Sequence, residues 1–226
     1  DDSLVPDSFV RLARQLQSEK PDILQHGYRI CHTEEQMLQP AKAPAKRRIY
    51  ASGAEYVSQN NLSGSPCVYI FKRAVATAHN IHFAEGVLHE DEDFNIKIYH
   101  YGESLIVSNA TAYNYYQRGG SITTSSNARH EEKRINDLFS LLKRVVDFRL
   151  ATVKECTTTR RAALDRKLAM LTVDHGDDTD FDNRQREETF RSVFTWDHWR
   201  DHWKLGAKAG YVNTWVAYDY KRDLGN

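Results

Sequence analysis

Four consecutive acidic residues, Glu90 to Asp93, are the stretch of the sequence best suited to chemistry. They lie between the apolar pair Val87–Leu88 and Phe94, and His89 directly precedes them. Acids in the first turn of a helix are favoured by the helix dipole, so an ordinary helix start is one interpretation. A carboxylate held rigidly behind an apolar segment can instead act as a general base on a substrate hydroxyl. The composition alone favours the first interpretation and leaves the second open.

Two further segments carry side chains suited to ion binding. Asp1 and Asp2 offer carboxylate oxygens, the hard ligands that Mg²⁺ and Mn²⁺ prefer, if they end an acidic loop. The segment 118–122 begins with Arg118 and contains two glycines. A guanidinium beside a glycine-rich backbone can bind a diphosphate, although a glycine turn after an amphipathic strand explains the same pattern.

A zinc site is not favoured. His198 and His202 have the i, i+4 spacing that places two ligands on one helix face. The Glu that usually follows the first histidine and a third ligand are both missing from this motif. Packing of an aromatic helix is the preferred explanation.

The pattern of apolar residues predicts an α/β part up to residue 128, followed by a helical extension over residues 129–226. A loop is expected over 33–46, and Ser52 and Glu55 have capping-box spacing. Helices are predicted over 9–19, 53–60, 73–79, 90–101, 130–146, 153–173 and 185–205, and strands over 22–30, 48–50, 67–71, 104–108 and 111–116.

Composition excludes several classes of protein. The 226 residues hold 31 basic and 31 acidic side chains, so no net field favours nucleic acid as a partner. The three cysteines are odd in number and widely spaced, which fits a reducing compartment. No apolar run approaches the ~20 residues of a membrane span. We therefore expect a cytoplasmic protein, with peripheral membrane contact as an open alternative.

Three phrases, taken in order, resemble a known family. They are Asp1-Asp2-x-x-x-Pro-Asp, then the run from Phe83 to Phe94, and finally Arg118-x-x-Ser121-Ile122. This order is similar to the second half of bacterial family 2 glycosyltransferases, which have the GT-A fold. The resemblance covers residues 1 to about 150, and its middle phrase is the most specific because six residue types agree in spacing.

The resemblance implies the chemistry of an inverting sugar transfer. A nucleotide sugar would be the donor, and a hydroxyl of a glycan or a lipid-linked molecule would be the acceptor, as in the synthesis of polysaccharides or cell-surface glycans. Asp91 would be the general base, and Glu90 and His89 would shape its surroundings. Glu92 and Asp93 would remain ordinary first-turn acids.

The resemblance also implies where the donor binds. Asp1 and Asp2 would hold a divalent Mn or Mg ion that binds the donor diphosphate. Arg118 and Ser121 would contact the diphosphate itself. The nucleotide-binding first half of the family does not occur in this sequence, so we expect the isolated chain to be inactive.

A non-catalytic alternative stays open. In it, the transferase shape persists as a binding or scaffold module that docks a partner or a membrane surface. The helical tail could also join two copies of the chain in a homo-oligomer. The aromatic residues on which this alternative depends are Trp196, Trp199, Trp203, Tyr211, Trp215, Tyr218 and Tyr220.

Overall fold

The computed structural model describes residues 2–41, 46–117, 128–152 and 154–174. Asp1, Arg118, Ser121, the paired histidines, the aromatic tail and the helix predicted over 185–205 lie outside these ranges. In chain order the elements are β1 (Ser3–Leu4), α1 (Pro6–Glu19), β2 (Ile23–Cys31), α2 (Glu34–Leu38), β3 (Arg47–Tyr50), α3 (Gly53–Gln59), a 3₁₀ turn (Pro66–Val68), β4 (Tyr69–Phe71), α4 (Arg73–Ala78), α5 (Glu90–Tyr101), β5 (Leu105–Tyr116), α6 (Ala128–Thr152) and α7 (Thr158–Asp174).

The strands form a curled mixed sheet around β5. On one side β5 pairs in parallel with β2, and β2 pairs antiparallel with β4. On the other side β5 pairs antiparallel with two strands in succession, with β3 through Leu105–Ser108 and with β1 through Tyr113–Asn114. This topology places the start of the chain beside the far end of β5.

The prediction of two strands over 104–116 is wrong, because Leu105–Tyr116 is one continuous strand. The register between β2 and β5 shifts on both sides of Gly27. The segment that the sequence suggests is a turn is therefore a β-bulge within the paired strands. The Ser108 hydroxyl accepts a hydrogen bond from the Ala110 amide at 3.2 Å, which satisfies a backbone donor at this irregular position.

Two other local predictions need correction. The segment 33–46, predicted as a loop, contains the short helix α2, and the Thr33 hydroxyl accepts from the Gln36 amide at its start. The strand predicted over 67–71 begins only at Tyr69, because Pro66 opens a 3₁₀ turn before it. Proline fixes its own φ and suits the first position of a helical turn.

Other element boundaries agree with the local sequence. At the start of α3 the Ser52 hydroxyl accepts from the Glu55 amide at 3.0 Å, and the Glu55 carboxylate accepts from the Ala51 amide at 2.7 Å. Gly102 ends α5 as predicted. A Cβ there would lie 2.5 Å from the Cδ1 atom of Ile23, so the Ile23 side chain would have to shift for a larger residue.

Both faces of the sheet are covered. Alternate residues of a strand point to opposite faces. Leu24 and Ile106 pack with Leu12 of α1 on one face. Ile23 and Leu105 on the other face join the larger core, which also contains buried residues of α3, α5, α6 and α7.

The hairpin of α6 and α7 thus shares the main core with the α/β part. A buried ion pair between Arg149 and Asp165 joins the two helices. The division into two domains at residue 128 stays a prediction. In the portion of the chain that the structure describes, no helix is long and apolar enough to cross a membrane.

Candidate active site

The turn that leads into α5 has an unusual backbone conformation. Gly86 and His89 both have positive φ values, 74° and 60° respectively. Such values are uncommon outside glycine, and for a non-glycine residue they persist where the surroundings hold the chain in place. His89 occupies the N-cap position of α5, and its side chain makes no capping hydrogen bond there.

Helix α6 holds this turn. The Asp137 carboxylate accepts from the Leu88 amide at 2.8 Å and from the Lys133 ammonium at 2.5 Å. Lys133 also donates to the Gly86 carbonyl oxygen at 2.9 Å. Burial acts to raise the pKa of Asp137, but the Lys133 and Leu88 hydrogen bonds and the nearby His89 lower it overall. The contacts at Leu88 and Gly86 fix the backbone three and five residues before Asp91.

Asp91 lies in the first turn of α5 and is partly buried. One of its carboxylate oxygens accepts from the Glu92 amide at 2.9 Å. Burial, followed by the negative charges of Glu92 and Glu90, raises the pKa of Asp91 to about 6. A carboxylate with such a pKa is ionised at neutral pH, yet it is a better proton acceptor than an ordinary aspartate.

The buried residue Tyr69 is hydrogen-bonded to Asn95, one helical turn after Asp91, and sequence reasoning missed both residues. Tyr69 donates its hydroxyl proton to the Asn95 side-chain oxygen at 2.6 Å. The Asn95 amide in turn donates to the carbonyl oxygens of Ser63 at 3.1 Å and Gly64 at 2.5 Å. Burial and then the charge of Asp91 raise the pKa of Tyr69, so the phenol stays neutral. The position of Asn95, four residues after Asp91, was the available signal, because such residues share a helix face.

The two acids after Asp91 form ion pairs with one residue of α5 and with residues of α6 and α7. Glu92 forms an ion pair with Lys167 of α7, with 2.5 Å between the ammonium nitrogen and a carboxylate oxygen. Asp93 is 2% exposed and pairs with Lys97 at 2.8 Å and with Arg144 of α6 at 3.5 Å. The sequence indicated only ordinary first-turn acids at these positions.

Of the second acidic pair, Asp1 and Asp2, only Asp2 lies within the described ranges. One oxygen of its carboxylate accepts from the Tyr113 hydroxyl at 2.6 Å, and the other accepts from the Tyr116 amide at 2.8 Å. Burial, then hydrogen bonds to Asp2 and to Cys67, raise the pKa of Tyr113.

The predicted metal ion has few ligands to hold it in this part of the chain. Among the residues that the structure describes, no group of three His, Cys, Asp or Glu side chains could bind a metal ion. Both Asp2 oxygens already accept hydrogen bonds, and Asp1 lies outside the described ranges. The described residues do not form a metal site by themselves, and a Mn or Mg ion stays a prediction. The roles of Arg118 and Ser121 likewise stay predictions.

Comparison with known proteins finds solved structures of similar fold. No family model matches the sequence, and no curated protein matches it. The chain is similar to Staphylococcus aureus TarS 1–349 in complex with UDP-GlcNAc, with 14% identity and a TM-score of 0.55 over 86% of this chain and 56% of that one. It is also similar to TarS 1–349 in complex with UDP, with 16% identity and a TM-score of 0.51 over 87% of this chain and 49% of that one.

The chain thus spans about half the length of the TarS structures that it matches. TarS is a staphylococcal glycosyltransferase, so the likeness supports a glycosyltransferase-like fold. At this level of identity the comparison concerns the fold alone. Assignment to family 2 and to the GT-A fold stays a prediction.

Proposed function

We propose that this chain is the acceptor-side part of an inverting glycosyltransferase and that Asp91 is its general base. An acceptor hydroxyl attacks the anomeric carbon of a nucleotide sugar while Asp91 takes the hydroxyl proton. The new carbon–oxygen bond forms as the bond to the diphosphate breaks, and the nucleoside diphosphate leaves with the bonding electrons. A single displacement of this kind inverts the anomeric configuration.

The observation that carries the proposal is the environment of Asp91. Its pKa of about 6 suits a base that works near neutral pH. Its backbone is held through the contacts of Asp137 and Lys133 with the preceding turn, and a general base needs such fixed placement. Asn95, one helical turn after Asp91, is itself hydrogen-bonded to Tyr69.

The donor is proposed to be a UDP-sugar, because the TarS structures of similar fold hold UDP-GlcNAc and UDP. The acceptor is proposed to be a hydroxyl of a glycan or a lipid-linked glycan. Arg118 and Ser121 are proposed to contact the diphosphate, and a divalent ion near Asp1 and Asp2 would neutralise it. The steps assigned to Asp91 do not depend on that ion.

The test uses the complete gene product with a panel of UDP-sugars and glycan acceptors, and NMR gives the anomeric configuration of the product. We expect inversion, and we expect Asp91→Asn to lower kcat by about a hundredfold to ten-thousandfold, the usual contribution of a general base. Asp147→Asn, which changes a 57% exposed side-chain carboxylate on α6, is the matched control. Retention of configuration, or an Asp91→Asn enzyme as active as the control, would contradict the proposal. Glycan binding without turnover would favour the scaffold alternative.

A further inference from the structure

Lys167 is a buried cation that reaches the first turn of α5 from α7. Its side chain is 2% exposed, and its ammonium nitrogen lies 2.5 Å from a carboxylate oxygen of Glu92. The same ammonium donates a hydrogen bond to the Leu62 carbonyl oxygen at 3.2 Å. A buried charge is tolerated in a protein only when it is paired, so the position of Glu92 is tied to that of α7.

The packing around Glu92 leaves little freedom for this pair. A Cβ on Gly64 would lie 2.7 Å from the second carboxylate oxygen of Glu92, so glycine makes room for the acid. Arg166, which precedes Lys167 on α7, donates to the Asn60 carbonyl oxygen at 3.3 Å and to the Asn61 side chain at 2.9 Å. Helix α7 therefore holds the segment 60–64 and the start of α5 together.

The charges around Asp91 would be unbalanced without Lys167. On α5 itself, the carboxylates of Glu90 and Glu92 both oppose ionisation of Asp91. Tyr69 of β4 also interacts with Asp91, since burial and then the charge of Asp91 raise the pKa of its phenol. Through its contact with Glu92, Lys167 brings a positive charge from the helical hairpin to this group of acids.

We propose that Lys167 is a positioning residue for the Asp91 base, an inference that rests on the proposed function. By pairing with Glu92, Lys167 offsets one of the two acids that flank Asp91 and holds the first turn of α5 against the segment 60–64. The helical hairpin is then part of the catalytic apparatus, although it lies far from Asp91 along the chain. A purely structural Lys167 would join α7 to α5 and leave the titration of Asp91 unchanged.

Two variants, each of which removes one charge, are expected to shift the pKa of Asp91 in opposite directions. Lys167→Met leaves the charge of Glu92 uncompensated, so the pKa of Asp91 should rise by about one unit. Glu92→Gln removes the repulsive acid and leaves the ammonium, so the pKa of Asp91 should fall by about one unit. The double variant should return the pKa close to that of the wild type.

The measurement is a ¹³C NMR titration of aspartate carboxyl groups in the full 226-residue chain, with the Asp91 signal assigned by its absence in Asp91→Asn. Lys143→Met is the matched control, because Lys143 is a 64% exposed partner of Asp147 on α6. Lys167→Arg keeps the charge and should keep the pKa. Shifts of opposite sign support the inference, and an unchanged Asp91 pKa in folded Lys167→Met overturns it, whatever Glu92→Gln shows.

Failure of this inference differs from failure of the proposed function. If the Asp91 pKa does not move in the variants while Asp91→Asn still abolishes transfer by the complete gene product, only the role of Lys167 is wrong. If Asp91→Asn transfers sugar normally while the pKa shifts appear, Lys167 still sets the titration of Asp91 but Asp91 is not the base. If Lys167→Met does not fold, Lys167→Gln, which also removes the charge, takes its place in the same titration.

Discussion

The hydroxyl of Tyr69 donates to the side-chain oxygen of Asn95 at 2.6 Å and so joins the edge strand β4 to α5 one turn after Asp91. Tyr69→Phe leaves the buried Asn95 oxygen without this donor. We expect the free energy of unfolding to fall by about 1–3 kcal/mol, the cost of a buried polar atom left unsatisfied. Urea denaturation measures the loss.

The control for this variant is Tyr28→Phe, which removes the same hydroxyl from a residue that is 52% exposed on β2. Its effect should stay within about 0.5 kcal/mol, as is usual for surface substitutions. Equal losses in Tyr69→Phe and Tyr28→Phe would show that the contact with Asn95 does not stabilise the fold.

Asp91 should destabilise the folded chain at neutral pH. Its pKa is about 6 in the folded state, against 3.8 for an ordinary aspartate, so the folded state binds more protons between these values. Stability therefore falls as the pH rises through this window, and the full cost is present above it. Because Asp91 is only partly buried, we expect Asp91→Asn to gain about 1–2 kcal/mol near pH 7.5 and nothing below about pH 4.

Denaturation of Asp91→Asn and wild type at the two pH values checks this prediction. The exposed Asp147→Asn serves again as the control, and it should not show the same dependence on pH. A loss of stability in Asp91→Asn near neutral pH would mean that the carboxylate stabilises the fold, which is the reverse of the expected sign.

The turn before α5 should loosen when its contact with α6 is removed. In Asp137→Ala the Leu88 amide loses its acceptor, and Lys133 loses its carboxylate partner. We expect hydrogen exchange at the Leu88 amide to accelerate by at least about tenfold, which corresponds to ~1.4 kcal/mol of local opening. Unchanged exchange at Leu88 would rule out Asp137 as the residue that holds this turn.

The buried pair of Arg149 and Asp165 should be sensitive to removal of one partner alone. Arg149→Met leaves the Asp165 carboxylate buried and unpaired, which we expect to cost about 3–5 kcal/mol of unfolding free energy. The double variant Arg149→Met with Asp165→Leu should recover most of this loss, because an apolar pair has no charge to desolvate. Thermal unfolding of the three proteins tests the expectation, and additive losses in the double variant would contradict it.

The sequence predicts well those parts of the fold that depend on neighbouring residues. Lys20 and Pro21 mark the end of α1, and Gly102 marks the end of α5, because backbone conformation at these positions is set locally. Prediction from the sequence fails at β5, because a bulge is stabilised by pairing with β2 and has no distinct local pattern.

The candidate site likewise contains residues that the sequence reveals and residues that only the fold brings together. Asp91 and its acidic neighbours could be found because they lie in one short phrase. Tyr69 and Lys167 could not, because they come from β4 and α7 and meet α5 only in the folded chain. Without an observed fold, nothing in the sequence around Lys167 distinguishes it from a surface lysine on a charged helix.

The most direct test of Asp91 as the base is the pH dependence of kcat/KM for sugar transfer by the complete gene product. A base must be ionised to act, so we expect activity to fall on the acid side with an apparent pKa near 6, which is the pKa of Asp91. In Asp91→Asn the residual activity should lose this acid limb. An acid limb that persists unchanged in Asp91→Asn would contradict the account, because another group would then accept the proton.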